Sequence, residues 1–445
     1  MIRPLSAARR ESRRERTWRS LPALPRLLIL TQFAFNVGFF AVLPFLAEHL
    51  GGTVGLAGWL VGLVLGLRTF SQQGLFVVGG ALVDRFGVRP VVLTGCALRI
   101  AGFAWLGYAQ AVGAVVGAVL LIGFAAALFS PAVESEIARQ AVCWEEAGGG
   151  SRTSVLALFT VASQAGAFVG PLLGALLLAV DFRTACLAGA GVFVVVLAGH
   201  FWLLPQHIPG RARTRLGGGV RPMLRNRRFL AVCGAYGAYL LAYNQLYLAL
   251  PEEVERAAGS QAPLAWLFAL SSLLVVLTQL PVTRWAADRL DLRRSMAVGL
   301  LVISAGFAVV AAARPAGWTG TGGLVPAAGF VVLLTLGQML VAPAARAWVP
   351  DLAEDGRLGL YTGAMSSISG LVVLVGSAAT GSLLDSGLPA AVPWLVLAAV
   401  PVVSLVLLPR RDAGRSSSLW AAPPAGTAHK SSGNYCGGVA YTMRP

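Results

Sequence analysis

Charge is the scarcest property of this sequence. Only 12% of the 445 residues are Asp, Glu, Lys or Arg, whereas 56% are hydrophobic and the mean hydropathy is +0.73. Soluble globular domains carry about 25% charged residues. The composition therefore excludes an ordinary soluble domain and predicts a polytopic membrane protein.

The sequence also lacks the residue patterns of common enzymatic and metal sites. No paired carboxylates and no nucleophile–base spacing are present, and the four histidines are scattered at His49, His200, His207 and His429. No Cys-x-x-Cys or Cys/His cluster predicts a zinc site, and no phosphate-binding P-loop is present. We therefore expect a protein that is not an enzyme, holds no metal or cofactor and does not itself hydrolyse ATP.

Long apolar stretches are abundant, and most reach the ~20 residues that a helical membrane span requires. Glycine and proline inside them are compatible with membrane helices. The predicted fold is an all-α membrane protein with twelve transmembrane helices. The predicted spans are 27–48, 54–79, 90–109, 112–133, 154–180, 184–204, 229–250, 262–283, 295–313, 324–345, 358–384 and 390–408.

The net charge of +16 is unevenly distributed along the chain. If the N-terminus is cytoplasmic, most arginines fall in cytoplasmic segments, and only Arg183, Arg256 and Arg314 lie in the outside loops. This positive-inside pattern predicts that both termini are cytoplasmic. The basic surplus thus indicates orientation and contact with anionic lipid of the bilayer, and no nucleic acid is expected as a partner.

The chain contains a weak internal repeat. The Asp-Arg pair at 84–85 recurs at 288–289, and Arg89 recurs as Arg293, in each case 204 residues or six spans later. An even number of spans gives two halves of the same orientation. We therefore predict a basic cytoplasmic arm (1–26), an N-terminal six-helix half (27–204), a cytoplasmic linker (205–228), a C-terminal six-helix half (229–408) and a disordered cytoplasmic tail (409–445).

A charged turn joins the second and third predicted spans. Its sequence, Gly-Ala-Leu-Val-Asp-Arg-Phe-Gly-Val-Arg at 80–89, resembles the cytoplasmic loop at this position in major facilitator superfamily transporters. The resemblance implies docking of its aspartate on the N-terminal end of the eleventh span, near 359–363. The alternative is a turn that only fixes topology. The residues of this predicted gating loop are Gly80, Asp84, Arg85, Gly87 and Arg89.

The fifth predicted span carries glycines at every fourth position and a central proline. Such glycines form a smooth groove for close helix packing, and a proline bends a helix because it removes a backbone hydrogen bond. The stretch resembles the antiporter motif of exporting members of the same superfamily, and we expect it at the interface between the two halves. The alternative is packing alone. The motif residues are Gly166, Gly170, Pro171 and Gly174.

Three further stretches, 66–75, 181–183 and 202–205, resemble bacterial multidrug-resistance transporters of the MdtH type, and the likeness covers most of 25–410. The resemblance implies a bacterial inner-membrane location, a central cavity, a monomer and proton-driven export of small drug-like substrates. The predicted span cores contain no acid to carry a proton. Besides Asp84, Glu134 and Glu136 are the nearest cytoplasmic candidates for a proton or charge relay, and their pairing with Arg85, Arg89 or Arg139 is the alternative.

Polar residues inside membrane spans are costly and are functional hypotheses by default. Arg68 and Gln72 lie one turn apart near the midplane, and a guanidinium there predicts recognition of carboxylate-bearing aromatic compounds. Equivalent faces of both halves are expected to line the cavity, with core packing or helix ties as the alternative. The predicted cavity residues are Gln32, Asn36, Arg68, Gln72, Tyr239 and Tyr243.

Two other functions fit the predicted fold. One is a proton-coupled uptake symporter for a metabolite, and the other is a membrane sensor that transports nothing. The antiporter-like fifth span disfavours the symporter, and polar residues at cavity depth disfavour the sensor. The predicted function is therefore export of small amphipathic compounds by alternating access, coupled to protons.

Overall fold

The computed structural model describes residues 18, 20–148, 151–204, 220–353 and 358–409. Helices joined by short turns make up this part of the chain, and no strand occurs in it. Because the hydrocarbon core of a bilayer offers no hydrogen-bond partners, each apolar segment has to satisfy its backbone groups internally. The all-α class predicted from the sequence is confirmed.

Fourteen helices of ten or more residues organise the described chain, and each half contains seven. The first half contains α1 Ala23–Phe40, α2 Gly58–Gly74, α3 Phe76–Phe86, α4 Val88–Tyr108, α5 Val112–Glu146, α6 Arg152–Leu178 and α7 Phe182–Leu203. The second half contains α8 Arg227–Asn244, α9 Ala249–Ala258, α10 Ala262–Arg289, α11 Leu292–Ala313, α12 Gly320–Leu352, α13 Leu358–Leu384 and α14 Val392–Ser404.

Shorter helical turns connect several of these helices. They occupy Leu43–Phe45, Leu46–Glu48, His49–Thr53, Val220–Arg225, Arg314–Ala316 and Leu405–Leu407. The predicted second span is broken at Leu75 into α2 and α3, and the predicted seventh span is interrupted after Asn244 before α9 begins.

By length and composition, nine helical stretches within the described residues can cross a membrane. The three remaining predicted spans are the two broken ones and the last, where α14 has only 13 residues. The prediction that these three also cross the membrane, which gives a total of twelve, stays a prediction.

Local sequence signals set several helix boundaries. The side chains of Ser151, Asp181, Asn226 and Asp291 each accept a hydrogen bond from a backbone N–H two or three residues later, which caps α6, α7, α8 and α11. The bonds from Thr184 also hold the pKa of the exposed Asp181 carboxyl below its usual value. Between α3 and α4, Gly87 adopts φ +87°, which side chains rarely tolerate.

Packing follows the same pattern in both halves. Within the halves, α1 packs on α6 and α8 packs on α13, and between the halves, α2 packs on α13 and α6 packs on α10. Counted as predicted spans, the second span of each half therefore contacts the fifth span of the other half. The two contacts between the halves are equivalent under the sequence repeat.

Glycines bring α2 close to α13 across the interface between the halves. A Cβ at Gly62 would collide with the carbonyl of Ser377, and a Cβ at Gly66 would lie 2.9 Å from the Cα of Leu374. Gly381 on α13 meets the backbone of Gly58 in the same way. Small residues allow such close approach of membrane helices, so this contact is the glycine-packed interface between the halves.

The glycines of the fifth-span motif pack against a different helix from the one expected. A Cβ at Gly170 would lie 2.7 Å from the Cβ of Phe40, and Gly166 and Gly174 also face α1. Their partner is thus a helix of their own half, although α6 contacts α10 with another face. The expectation that these glycines pack the interface between the halves is wrong, because the motif fixes spacing but not the partner helix.

Parts of the predicted organisation lie outside the described residues. These parts are residues 1–17 of the arm, 205–219 of the linker and 410–445 of the tail. The side chain of Asp84 also lies outside them, although its backbone belongs to α3.

Candidate functional site

A cavity of about 280 Å³ lies between the two halves. Its size is close to the lower limit of roughly 300 Å³ for small-molecule sites. Helices α1 and α6 supply one wall, and α8, α10 and α12 supply the other. The lining residues are Asn36, Phe40, Ser163, Gln164, Ala167, Tyr239, Tyr243, Leu246, Phe268, Ser271, Ser272, Val275 and Gln338. All are neutral, aromatic or aliphatic, so the wall combines apolar area with uncharged hydrogen-bonding groups.

Asn36 is held in place on the first-half wall. Its amide nitrogen donates to the carbonyl and the hydroxyl of Ser163 on α6, at 2.9 and 2.7 Å. Gln32 lies one turn away and donates to the same hydroxyl at 3.5 Å. Ser163 thus orients both predicted polar residues of α1, and Asn36 lines the cavity.

A stripe of four tyrosines forms the opposite wall. Neighbouring ring centroids are 5.4 Å apart for Tyr236 and Tyr239, 6.4 Å for Tyr239 and Tyr243, and 6.0 Å for Tyr243 and Tyr247. The spacing of three or four residues places Tyr236, Tyr239 and Tyr243 on one face of α8, and Tyr247 follows in the turn after it. Tyr239 and Tyr243 line the cavity.

Arg68 and Gln72 do not line this cavity. Arg68 is 8% exposed and donates to the side-chain oxygen of Gln72 at 2.8 Å. The rings of Phe39 and Tyr247 lie 4.8 and 5.9 Å from its guanidinium carbon. Arg68 is therefore a covered tie behind the tyrosine stripe, and the expectation that it faces substrate in the cavity has no support in this arrangement.

Arg99 is buried in a cage of phenylalanines. Its guanidinium carbon lies 4.5 to 5.8 Å from the ring centroids of Phe35, Phe39, Phe103 and Phe193. Two of its nitrogens have no hydrogen-bond partner. Cation–π contacts are worth up to ~2 kcal/mol each when desolvated, so the rings stabilise a cation that has no carboxylate partner within the described chain.

A buried chain of polar side chains crosses between the halves behind the cavity. The hydroxyl of Thr69 donates to Asn244 at 3.1 Å, and the amide of Asn244 donates to Ser377 at 2.8 Å. All three residues are almost fully buried. This hydrogen-bonded series of side chains was not predicted from the sequence. Gln32 was selected because polar residues inside membrane spans are costly, and the same rule applied to Asn244 would have selected it too.

The two candidate relay acids differ sharply in their surroundings. Glu136 is buried and accepts hydrogen bonds from Arg139 at 2.6 Å and Gln140 at 2.8 Å. Glu134 is exposed and interacts electrostatically with Arg346 of the second half, which is exposed as well. Arg346 also makes a side-chain contact with the hydroxyl of Tyr236. Glu134 is thus linked through one arginine to the tyrosine stripe, whereas Glu136 is paired within its own helix.

The predicted gating loop is only partly described. Gly87 makes the turn, and Arg85 lies over the ring of Phe86 at 5.2 Å. Arg89 donates to the carbonyl of Phe201 at 2.8 Å. A Cβ at Gly80 would meet open space, whereas one at Gly79 would collide with the carbonyl of Ala127. The glycine that allows close helix approach is therefore Gly79.

At the end of the molecule away from the predicted gating loop, hydrogen bonds join the two halves directly. The carboxylate of Asp385, after α13, accepts the backbone N–H of Gly58 at the start of α2, at 2.5 Å. The amide of Gln261 donates to Glu48 at 3.2 Å, again from one half to the other. An acid at a helix N-terminus is electrostatically favoured. Both ties lie at the end that the sequence predicts to be external.

This chain is similar to known transporters over most of its length. The model of the Major Facilitator Superfamily matches residues 27–252 and 232–431. An MFS-type transporter of Mycobacterium tuberculosis is 38% identical over 418 residues, which cover 89% of this chain and 96% of the relative. The multidrug resistance protein MdtH of Escherichia coli is 31% identical over 387 residues, which cover 86% and 92%.

Solved structures share the fold at lower identity. A peptide transporter of the POT type, crystallised with sulfate, superposes with a TM-score of 0.72 at 17% identity and covers 89% of this chain and 97% of its own. The nucleoside transporter NupG superposes with a TM-score of 0.70 at 14% identity, with coverages of 87% and 98%. The two-half arrangement, the cavity between the halves and the match over both halves lead to one conclusion, that the chain belongs to the Major Facilitator Superfamily.

Proposed function

We propose that this transporter exports small amphipathic compounds by alternating access, coupled to the inward flow of protons. The observation that supports the proposal most directly is the cavity between the halves, with two tyrosines and several neutral amides and hydroxyls in its wall. Aromatic rings with hydroxyl groups bind flat apolar molecules while accepting or donating hydrogen bonds. Membership of a transporter family already establishes a transporter rather than an enzyme.

The proposed direction rests on the relatives. The relative from Escherichia coli is named a multidrug resistance protein, and its likeness covers most of this chain. The likeness to the peptide and nucleoside transporters is below 20% identity and concerns the fold alone. Export is therefore the favoured direction, and uptake is the outcome that an experiment has to exclude.

We assign the proton to Glu134. When ionised, it attracts Arg346 across the opening between the halves, and this attraction favours a short distance between α5 and α12. Protonation removes the attraction and leaves Arg346 held by its contact with the hydroxyl of Tyr236. The ring of Tyr236 packs 5.4 Å from that of Tyr239, which lines the cavity, so the protonation state of Glu134 is coupled to the wall that contacts substrate.

The hydrogen bonds at the predicted external end have to break during the transport cycle. The contacts from Gly58 to Asp385 and from Glu48 to Gln261 join the halves where substrate has to leave. Export therefore requires that these two ties open while the opposite ends of the halves approach each other. Glycine packing between α2 and α13 allows the halves to remain in contact during this movement.

Transport into everted membrane vesicles tests the proposal. A panel of fluorescent amphipathic compounds should accumulate in vesicles that contain the protein, and an uncoupler should abolish the accumulation. Tyr243→Ala should reduce it because that ring lines the cavity. Tyr108→Ala is the matched control, since Tyr108 is 56% exposed at the end of α4 and lies outside the cavity.

Two results would contradict the proposal. Accumulation in intact cells that rises on expression would indicate an uptake symporter. Full expression without transport of any tested compound in either direction would favour a membrane sensor.

A further inference from the structure

An apolar groove of about 520 Å³ opens on the outer surface of the first half, between α4 and α7. Leu93 and Ala97 of α4 and Leu197 of α7 form its floor, and Phe201 and Trp202 border one end. Trp202 is 81% exposed. Both helices are long and apolar enough to cross a membrane, so the groove opens toward lipid, and an acyl chain rather than water has to fill it.

A cationic side chain stands at the same end of the groove. Arg89 donates one N–H to the carbonyl of Phe201 at 2.8 Å, and its guanidinium carbon lies 5.4 Å from the ring centroid of Phe201. That carbonyl is among the last of α7, which lack partners within the helix. No carboxylate of the described residues lies within 4 Å of Arg89. Among the described side chains, its remaining donors have no carboxylate partner and can bind an anion.

The polar and apolar groups follow the order of groups in a phospholipid. Thr94 lies five residues beyond Arg89, roughly 7.5 Å deeper along α4 at 1.5 Å per residue. Thr94 is exposed in the groove, and its hydroxyl makes no hydrogen bond to the described part of the chain. Trp202 borders the groove at the end where aromatic residues contact lipid headgroups. The charge and the free hydroxyl thus lie toward the headgroup end of the groove, and the apolar lining continues deeper at Ala97 and Leu197.

We propose that an anionic phospholipid binds in this groove. Its phosphate contacts Arg89, its ester region lies near Thr94, and one acyl chain lies along Leu93, Ala97 and Leu197. The bound lipid joins the start of α4 to the end of α7. Since Arg89 belongs to the charged turn between α3 and α4, the lipid also restrains one end of that turn. The site is distinct from the cavity between the halves.

Quenching of tryptophan fluorescence by brominated lipids tests this site in the full-length protein. The protein is reconstituted in vesicles whose phosphatidylglycerol or phosphatidylcholine carries brominated acyl chains. The difference between wild type and Trp202→Phe isolates the signal of Trp202. We expect this signal to report about five-fold preferential binding of phosphatidylglycerol, because one arginine near the surface contributes that factor.

Three variants separate this specific site from general attraction of anionic lipid. Arg89→Gln should abolish the preference, whereas Arg89→Lys should retain most of it. Arg293→Gln is the matched control, because it removes the same charge at the repeated position of the second half, and it should leave the five-fold preference intact. Ala97→Phe should fill the groove without adding a tryptophan and reduce quenching of Trp202 by both lipids.

Equal quenching of Trp202 by the two lipids in the wild type would overturn the proposal. So would an unchanged preference in Arg89→Gln, or an equal loss in Arg89→Gln and Arg293→Gln. Quenching of Trp202 that persists in a folded Ala97→Phe protein would show that the acyl chain does not occupy the groove.

Discussion

Two carboxylates that lie two residues apart, Glu134 and Glu136, have opposite environments. Glu134 is exposed opposite Arg346, whereas Glu136 is buried against Arg139 and Gln140. We predict that Glu134→Gln lowers uncoupler-sensitive export at least about five-fold, the lower end of coupling between linked sites. The measurement is transport into everted vesicles with an imposed proton gradient.

Glu136→Gln is the control for this prediction. It weakens charge-assisted hydrogen bonds worth ~1.5–3 kcal/mol, so we expect lower thermal stability of the purified protein with proton coupling retained. The assignment would be wrong if Glu134→Gln exported at the wild-type rate, or if both variants lost coupling to the same degree.

The environment of Arg68 changes the prediction that its sequence position suggests. Because its guanidinium is covered by Phe39 and Tyr247 and bonded to Gln72, we expect Arg68→Gln to impair transport of an aromatic acid and of its methyl ester equally. The variant should also unfold more easily, by roughly 1–3 kcal/mol. Dose–response transport of the acid and its methyl ester distinguishes a structural role of Arg68 from charge recognition. A selective loss for the acid would indicate that Arg68 recognises substrate charge.

At the scale of helices, the glycine contacts of α2 and α6 have different consequences. A Cβ at Gly62 meets the backbone of α13 in the opposite half. Overpacking costs roughly 1–3 kcal/mol, which shifts an equilibrium between two conformations about 5–150-fold. We predict that Gly62→Val inserts in the membrane but loses most of its transport. Gly191→Val is the matched control, since a Cβ there meets nothing within 4 Å, and comparable loss in both variants would contradict this prediction.

Gly170→Leu should behave differently from Gly62→Val. The new side chain would press on Phe40 of α1 within the same half, so the first half itself should pack poorly. We predict reduced yield and a lower unfolding temperature of the purified protein, rather than a stable protein trapped in one conformation. A stable, well-expressed variant that fails only in transport would indicate that this face also contacts the other half during the cycle.

At the scale of the whole molecule, the ties at one end of the two halves define a conformation that has to open for export. Gly58 and Asp385 are in contact there. In a background without other reactive cysteines, we predict that the double variant Gly58→Cys/Asp385→Cys forms a disulfide on oxidation and stops transporting. A reductant should restore transport, and each single variant should be insensitive to oxidation. Undiminished transport by the cross-linked protein would show that this end does not open.

The sequence by itself determined the membrane class, the all-α fold and the superfamily, because these depend on apolar run lengths and on short motifs that are local in the chain. Helical periodicity also predicted that Asn36, Tyr239 and Tyr243 share the faces that line the cavity, where the structure places them, and their contact with substrate stays a prediction. Only the tertiary structure decided what each face contacts.

These contacts changed the interpretation of several residues. Arg68 is covered by the ring of Phe39 on α1 and by that of Tyr247 in the turn after α8, and Gly170 packs against α1 instead of the opposite half. Asn244 joins Thr69 to Ser377 across the halves. The physical reason is that a spacing of residues fixes their direction around one helix, whereas their partners depend on the rotation and position of neighbouring helices, to which residues distant in the sequence contribute.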